Sequence, residues 1–168
     1  MDKNPTKYYS SIQENRIASY LGWKVVSGSG SRNCRPGDVV STRWLGECKT
    51  HTEPGHKIFF SKAVWDKIKQ EAMVKKRFPV LFTDDGTQID RHTWCLCMCD
   101  RLEMEDVHFE PITKGGNKNI SYNHDSLYKS AKDICVANPG KYPVFYTQWH
   151  EDKIAICQLS VFVMLVGE

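Results

Sequence analysis

Apolar positions Ile12, Ile17, Tyr20 and Leu21 fall on one helical stripe, so the segment from about Ser10 to Leu21 is predicted as a helix. Ser10 and Ser11 each have a Gln or Glu three positions on, the capping-box pattern, and Gly22 ends the helix. "WKVV" then reads as a strand and "SGSGSRNCRPG" as a loop. Asp38 to Val40 and Trp44 to Lys49 make the strands of a short hairpin. After the polar "THTEPGHK", Ser61 is placed to cap a second helix whose apolar positions are Val64, Trp65, Ile68 and Ala72. "FPVLFT" is the next strand, "DDG" a turn and "TWCLCMC" another strand. The apolar tail "IAICQLSVFVMLV" is too short and interrupted to cross a bilayer and reads as one or two buried strands.

An echo runs through this pattern. "KIFFSKAVWDKIKQEAMVKKRFPVLFT" and "NISYNHDSLYKSAKDICVANPGKYPVFYT" both pass from a short apolar piece to a helix and then to an aromatic-Pro-Val strand. A degenerate second copy of one helix-and-strand unit is one reading, and chance similarity of two helix-strand pairs is the other. In that second copy "FEPITK" matches the hairpin's second strand, with Glu110 retained and no lysine two places on.

The 168 residues suit one domain, with residues 1–90 as its core and 91–168 as an extension completing it. The first ten residues lack the apolar run of a signal peptide, and the seven cysteines are an odd count. Reduced thiols in a cytoplasmic protein are expected. Net charge is +3 but unevenly spread: residues 1–90 carry 15 Lys+Arg against 10 Asp+Glu, and the remainder 8 against 10. A polyanionic partner would therefore meet the first half.

The hairpin carries the candidate chemistry. Pairing Asp38–Val40 with Leu45–Glu47 sets Asp38 opposite Glu47, with Cβ atoms ~5 Å apart. Two bare carboxylates so close repel, and a divalent cation between them removes the conflict. Strand alternation puts Lys49 on the Glu47 face and turns Cys48 toward the core. A lysine there can orient a metal-bound water or neutralise a phosphate under attack. Read singly, each residue has a plainer role: Glu14 as a capping-box acid after Ser11, Asp38 as a turn residue, Glu47 and Lys49 as a solvated strand face.

Asp followed by Glu-x-Lys on a second strand, here "PGDVVSTRWLGECK", resembles the signature of the PD-(D/E)xK nuclease superfamily. Glu14 in a preceding helix, Gly22-Trp23, a valine strand, the "SGSGS" loop, and later a basic helix leading to "FPVLF" resemble archaeal-type Holliday-junction resolvases and their viral relatives. The similarity covers roughly residues 10–85. Asn15 intervenes before Arg16, where that family tends to carry Arg directly after the helix glutamate.

The resemblance implies a mixed α/β, restriction-endonuclease-like central sheet flanked by helices, with a C-terminal α+β extension. It implies an Mg²⁺-dependent endodeoxyribonuclease, with Mn²⁺ able to substitute. Asp38, Glu47 and the Cys48 backbone carbonyl would hold the metal, Lys49 would position the water, and Glu14 would stand behind the metal ligands. Ser29, Ser31, Arg32 and Arg35 would contact the DNA backbone, and the lysine-rich second helix, with Lys62 and Lys69, would add to that contact. Branched duplex DNA is the expected substrate and a homodimer the expected assembly, with no membrane and no nucleotide cofactor. The alternatives are a restriction-like or repair nuclease on linear or damaged duplex, a catalytically silent DNA-binding module, and a structural interaction protein.

Other clusters say less. On a regular strand Cys95, Cys97 and Cys99 share a face at about 6.6 Å per pair, too far apart for tetrahedral zinc. "HTEPGH" lacks the helical metalloprotease spacing, which leaves His51 and His56 as loop residues.

Overall fold

A computed structural model of the chain describes residues 5–26, 37–50, 55, 57–87, 89–113 and 118–167, with side chains from Ser10 onward. The elements are α1 (Pro5–Leu21), β1 (Lys24–Val25), β2 (Val39–Val40), β3 (Trp44–Lys49), β4 (Lys57–Phe60), α2 (Lys62–Val74), β5 (Phe78–Asp84), β6 (Thr93–Met98), β7 (Val107–Pro111), β8 (Ile120–Asn123), α3 (His124–Ala137), β9 (Tyr142–Trp149), β10 (Asp152–Gln158) and α4 (Leu159–Val166). The class is mixed α/β: one eight-stranded sheet in the order β1-β2-β3-β5-β6-β10-β9-β7, plus a two-stranded ribbon of β4 and β8. Residues on both sides of position 90 contribute strands to the large sheet.

Strand alternation sorts the sheet residues into two cores. Leu45, Leu81, Leu96, Phe145 and Ile156 face α2, α3 and the ribbon, against buried Trp65, Ile68, Leu127 and Ile134. Trp44, Val80, Phe82, Cys95, Cys97 and Cys157 face the other way, toward α1 and α4. There Phe162 meets Trp44, Phe82 and Trp23 edge-on, with ring centroids 5.1, 5.7 and 6.1 Å apart. Such pairs add about 0.5–1.5 kcal/mol each beyond burial. The buried thiols of Cys95 and Cys97 are pushed well above the usual cysteine range by burial, so they are inert packing groups.

The sheet has an internal two-fold pattern. β3 runs through β4 and α2 to the parallel strand β5, and β7 runs through β8 and α3 to the parallel strand β9. Each unit then adds an antiparallel strand, β6 or β10, and those two pair with each other at the centre. The registers match: Glu47↔Leu81, Leu81↔Leu96, Leu96↔Ile156, Ile156↔Phe145 and Phe145↔Glu110 make one row across six strands, mirrored about its middle. The ribbon obeys the same symmetry, with Ile58↔Tyr122 and Phe60↔Ile120 on either side of Phe59↔Ser121. Ser61 and Asn123 cap α2 and α3 by accepting from Val64 N–H and Ser126 N–H.

Three expectations are corrected. α1 begins at Pro5, so Ser10 and Ser11 lie inside the helix and Glu14 caps nothing. Its buried stripe is Gln13, Ile17, Ala18 and Leu21, while Ile12 and Tyr20 stay exposed, because a polar residue faces inward to bond the sheet. The tail supplies only one strand: after Gln158, buried Leu159, Val161, Phe162 and Leu165 recur at helical spacing and form α4. Cys99 leaves β6 for a 3-10 turn, so only Cys95 and Cys97 share a strand face. Among the described residues no helix is long and apolar enough to cross a membrane.

Candidate active site

Three elements deliver the acids to one corner of the sheet. α1 is fixed there by polar bonds: fully buried Gln13 donates from Nε2 to Lys49 O at 2.7 Å, and Arg16 Nη2 meets Asp84 Oδ2 at 3.0 Å. Gly22, at φ +74°, lets the chain turn out of the helix, and Trp23 N–H donates to Ala18 O at 2.9 Å. Glu14 lies between Gln13 and Arg16 and shares a hydrogen bond with the Asp38 carboxylate, which a second acid makes only by keeping its proton.

Asp38 is held from several sides. Gly37 adopts φ +73°, and its N–H donates to Glu71 Oε2 at 2.8 Å. Asp38 N–H donates to Gly46 O at 2.8 Å, and Asp38 Oδ2 accepts Cys48 N–H at 2.8 Å. The hairpin register is Val39↔Gly46 and Val40↔Leu45; Asp38, just ahead of β2, leaves the regular ladder, with its N–H turned to Gly46 O and its C=O accepting Val26 N–H on the other side. In a strand the N–H and C=O of one residue leave on the same side, so the Cys48 carbonyl also faces the Asp38 side.

Asp38 and Glu47 are 7% and 6% exposed, so their charges repel through little water. Burial, the hydrogen bond to Asp38 and the Asp38 and Glu47 charges raise the Glu14 carboxyl to about 8 against the pull of Lys49. Burial and the Asp38 charge raise Glu47 to about 7 against Lys67 and Lys49. The corner opens through its lysines: Lys49 Nζ and Lys67 Nζ lie 3.7 and 3.9 Å from Glu47 Oε1, with side chains 53% and 60% exposed. Glu14 of α1 therefore sits together with Asp38, Glu47 and Lys49 of the β2–β3 hairpin.

The other expected contacts are placed differently. Ser29, Ser31, Arg32 and Arg35 lie outside the described residues, as do His51 and His56. Lys62 and Lys69 are turned away from the acids, into a carboxylate network: Lys62 Nζ meets Asp66 at 2.6 Å, and Lys69 Nζ meets Glu151 at 3.2 Å and also Asp152. Sequence reasoning missed three members of the site. Gln13 gave no signal, since a buried glutamine breaks the apolar stripe. Lys67 and Glu71 gave a weak one: they are an i,i+4 pair on the basic helix, 3.0 Å apart, and only the fold turns them toward Glu47 and Gly37.

A second cluster was also missed. Asp85, His92 and His124 each bring one ligand atom within 4.8 Å of the others, a group that could hold a metal ion. The His92 and His124 rings stack at 4.0 Å, His92 Nδ1 lies 2.8 Å from Asp85 Oδ2, and Trp94 Nε1–H donates to His124 Nδ1 at 3.0 Å. That last bond places the proton of a neutral His124 on Nε2, so binding a metal there requires a change of tautomer. Two imidazoles and one carboxylate suit zinc or another transition metal better than magnesium.

Compared with known proteins, the chain matches no family model and no curated protein.

Proposed function

We infer that the chain is a metal-dependent DNA endonuclease that cleaves branched duplexes such as four-way junctions. The observation that carries this reading is the convergence of Glu14, Asp38, Glu47 and Lys49 at one partly open corner, where the Glu14 and Glu47 carboxyls hold their protons more tightly than free carboxyls do. Hard oxygen donors crowded in this way fit a divalent cation, and Mg²⁺, or Mn²⁺ in its place, would be held by Asp38, Glu47 and the Cys48 carbonyl. Bound there, the ion would acidify a water and draw charge from the scissile phosphate.

The chain's own groups supply the rest. Asp38 is oriented by the Cys48 amide and cannot swing away. Lys49, directed at Glu47 from the open side, carries positive charge to a non-bridging phosphate oxygen and donates to the water. Glu14 holds its proton against Asp38 and, with a cation held by Asp38 and Glu47, would stand behind those ligands as an anion. Lys67 provides a second cation at the entrance. The water oxygen bonds to phosphorus as the bond to the 3′ oxygen breaks, leaving a 5′ phosphate and a 3′ hydroxyl.

The deciding experiment incubates the full chain with Mg²⁺ or Mn²⁺ and either a four-way junction or linear duplex DNA. Cleavage of the junction, lost in Glu47→Gln and Lys49→Ala, is expected. Binding without cutting by either metal, unchanged by Lys49→Ala, would mean a silent DNA-binding module.

A further inference from the structure

The row that ends in Glu47 at one side of the sheet ends in Glu110 at the other, about 24 Å away across five strand spacings. Both glutamates lie on the face covered by α2 and α3. The helices repeat the match: Lys67 and Glu71 are 3.0 Å apart on α2, and Lys129 and Asp133 are 3.0 Å apart on α3. Even the strand entrances agree, with Phe78 N–H donating to Arg43 O and Tyr142 N–H to Asp106 O, both at 2.7 Å.

At the Glu110 end the catalytic parts are missing one by one. Ile112 stands where Lys49 does, and Pro111 stands at Cys48, so the amide that fixes Asp38 has no counterpart. Among the described residues β7 is the last strand of the sheet, so no outer strand brings an aspartate beside it, as the β2 strand with Asp38 just ahead of it does beside β3. What remains is a cavity of about 580 Å³ lined by His108, Glu110, Ser130, Asp133 and Asn138, with His108 Nε2 2.8 Å from Glu110 Oε2.

We propose that this internal two-fold takes the place of a subunit two-fold: one chain presents a symmetric frame to a two-fold-symmetric DNA junction and nicks only one of its two equivalent strands. The inference rests on the nuclease reading above. It rests also on the unequal ends of the frame. Among the described residues Glu14, Asp38, Glu47 and Lys49 gather at one end, while the matching end keeps only Glu110 beside His108. One chain thus has the shape for two opposed strands and the groups for one cut. In the single step a water oxygen joins phosphorus, the phosphorus–O3′ bond breaks, the water proton leaves to solvent and O3′ takes one up.

The test uses the full chain with Mn²⁺ on a four-way junction labelled separately on each strand and on supercoiled plasmid. Enzyme is kept limiting, and the mass of the active species is measured by light scattering. One nick per junction encounter, open-circle plasmid without early linear product, and activity from a species near 19.3 kDa are expected. Glu110→Gln is expected to keep the rate within twofold, while Glu47→Gln lowers it at least a hundredfold. Paired cuts in one encounter, activity confined to a dimer, or equal losses from Glu110→Gln and Glu47→Gln would overturn the inference and leave the nuclease reading standing. No cleavage of junction or plasmid, with Mn²⁺ or with Mg²⁺ in its place, would overturn the nuclease reading and this inference with it.

Discussion

The two halves of the sheet share a path and differ in what lies at its end. β3–β6 with α2 and β7–β10 with α3 follow the same course, to the same registers, and each keeps a glutamate and a helical Lys-acid pair. Among the described residues only the first half adds α1 and the β1–β2 edge, and only there do four further groups collect: Glu14, Asp38, the Cys48 amide and Lys49. The comparison teaches that the repeated unit is a scaffold and that the N-terminal addition turns it into a candidate catalyst. A glutamate at a strand position is cheap for a fold to keep, whereas crowding three acids together needs something to bind them.

The sharpest way to break the comparison is to remove corresponding acids. Asp38→Asn or Glu47→Gln is expected to cut the rate of junction cleavage about 10³-fold, with Glu110→Gln nearly silent, read in single-turnover assays. Lys49→Ala should cost about 10²-fold, mainly in kcat, while Ala at Lys129, the second half's match to Lys67, changes neither kcat nor KM.

Stability sharpens the contrast without any cleavage assay. Glu14 and Glu47 bind protons more tightly folded, at about 8 and about 7, than unfolded, at about 4.5. Their contribution is therefore full below about pH 4.5 and is lost as pH rises through 7 to 8. The metal-free melting temperature should fall over that range, and Glu14→Gln should flatten the fall. Mg²⁺ at a concentration 100 times its Kd at pH 8 adds about 2.7 kcal/mol there, a rise of several degrees, and the same concentration adds less at pH 5.5, where protons compete. A magnesium shift that survives Asp38→Asn with Glu47→Gln would place the ion elsewhere.

The smallest expected effect concerns His124, which burial and the neighbouring His92 hold below the usual histidine range. The unfolded chain then binds the extra proton more readily, so stability drops as pH falls through 6.5 and on through the lowered value. His124→Gln should reduce that acid-side slope in thermal melts, with little effect on cleavage.

Much of the first half was legible because its signals are local. The hairpin register followed from period-two alternation, α2 from its stripe and its Ser61 cap, and β5 from an aromatic-Pro-Val run. α1 was misread in phase, since Gln13 and Glu14 occupy positions that a purely structural helix fills with apolar groups; there the candidate site overrode the pattern. α4 was misread because valines and phenylalanine look like strand until the pairing partners are known. The Leu96↔Ile156 pairing that completes the two-fold joins residues 60 positions apart, and no local pattern specifies it. The turn of Lys67 toward Glu47 is of the same kind.

Pro111 has one more consequence. Ile112 N–H is bonded inward to Tyr146 O at 2.9 Å, so by alternation the amide position of Pro111 faces outward, from the rim strand. A stray strand from another molecule, trying to extend the ladder there, meets a missing hydrogen where it needs a donor. The residue that leaves the second corner without its amide thus also blunts this edge against a further strand.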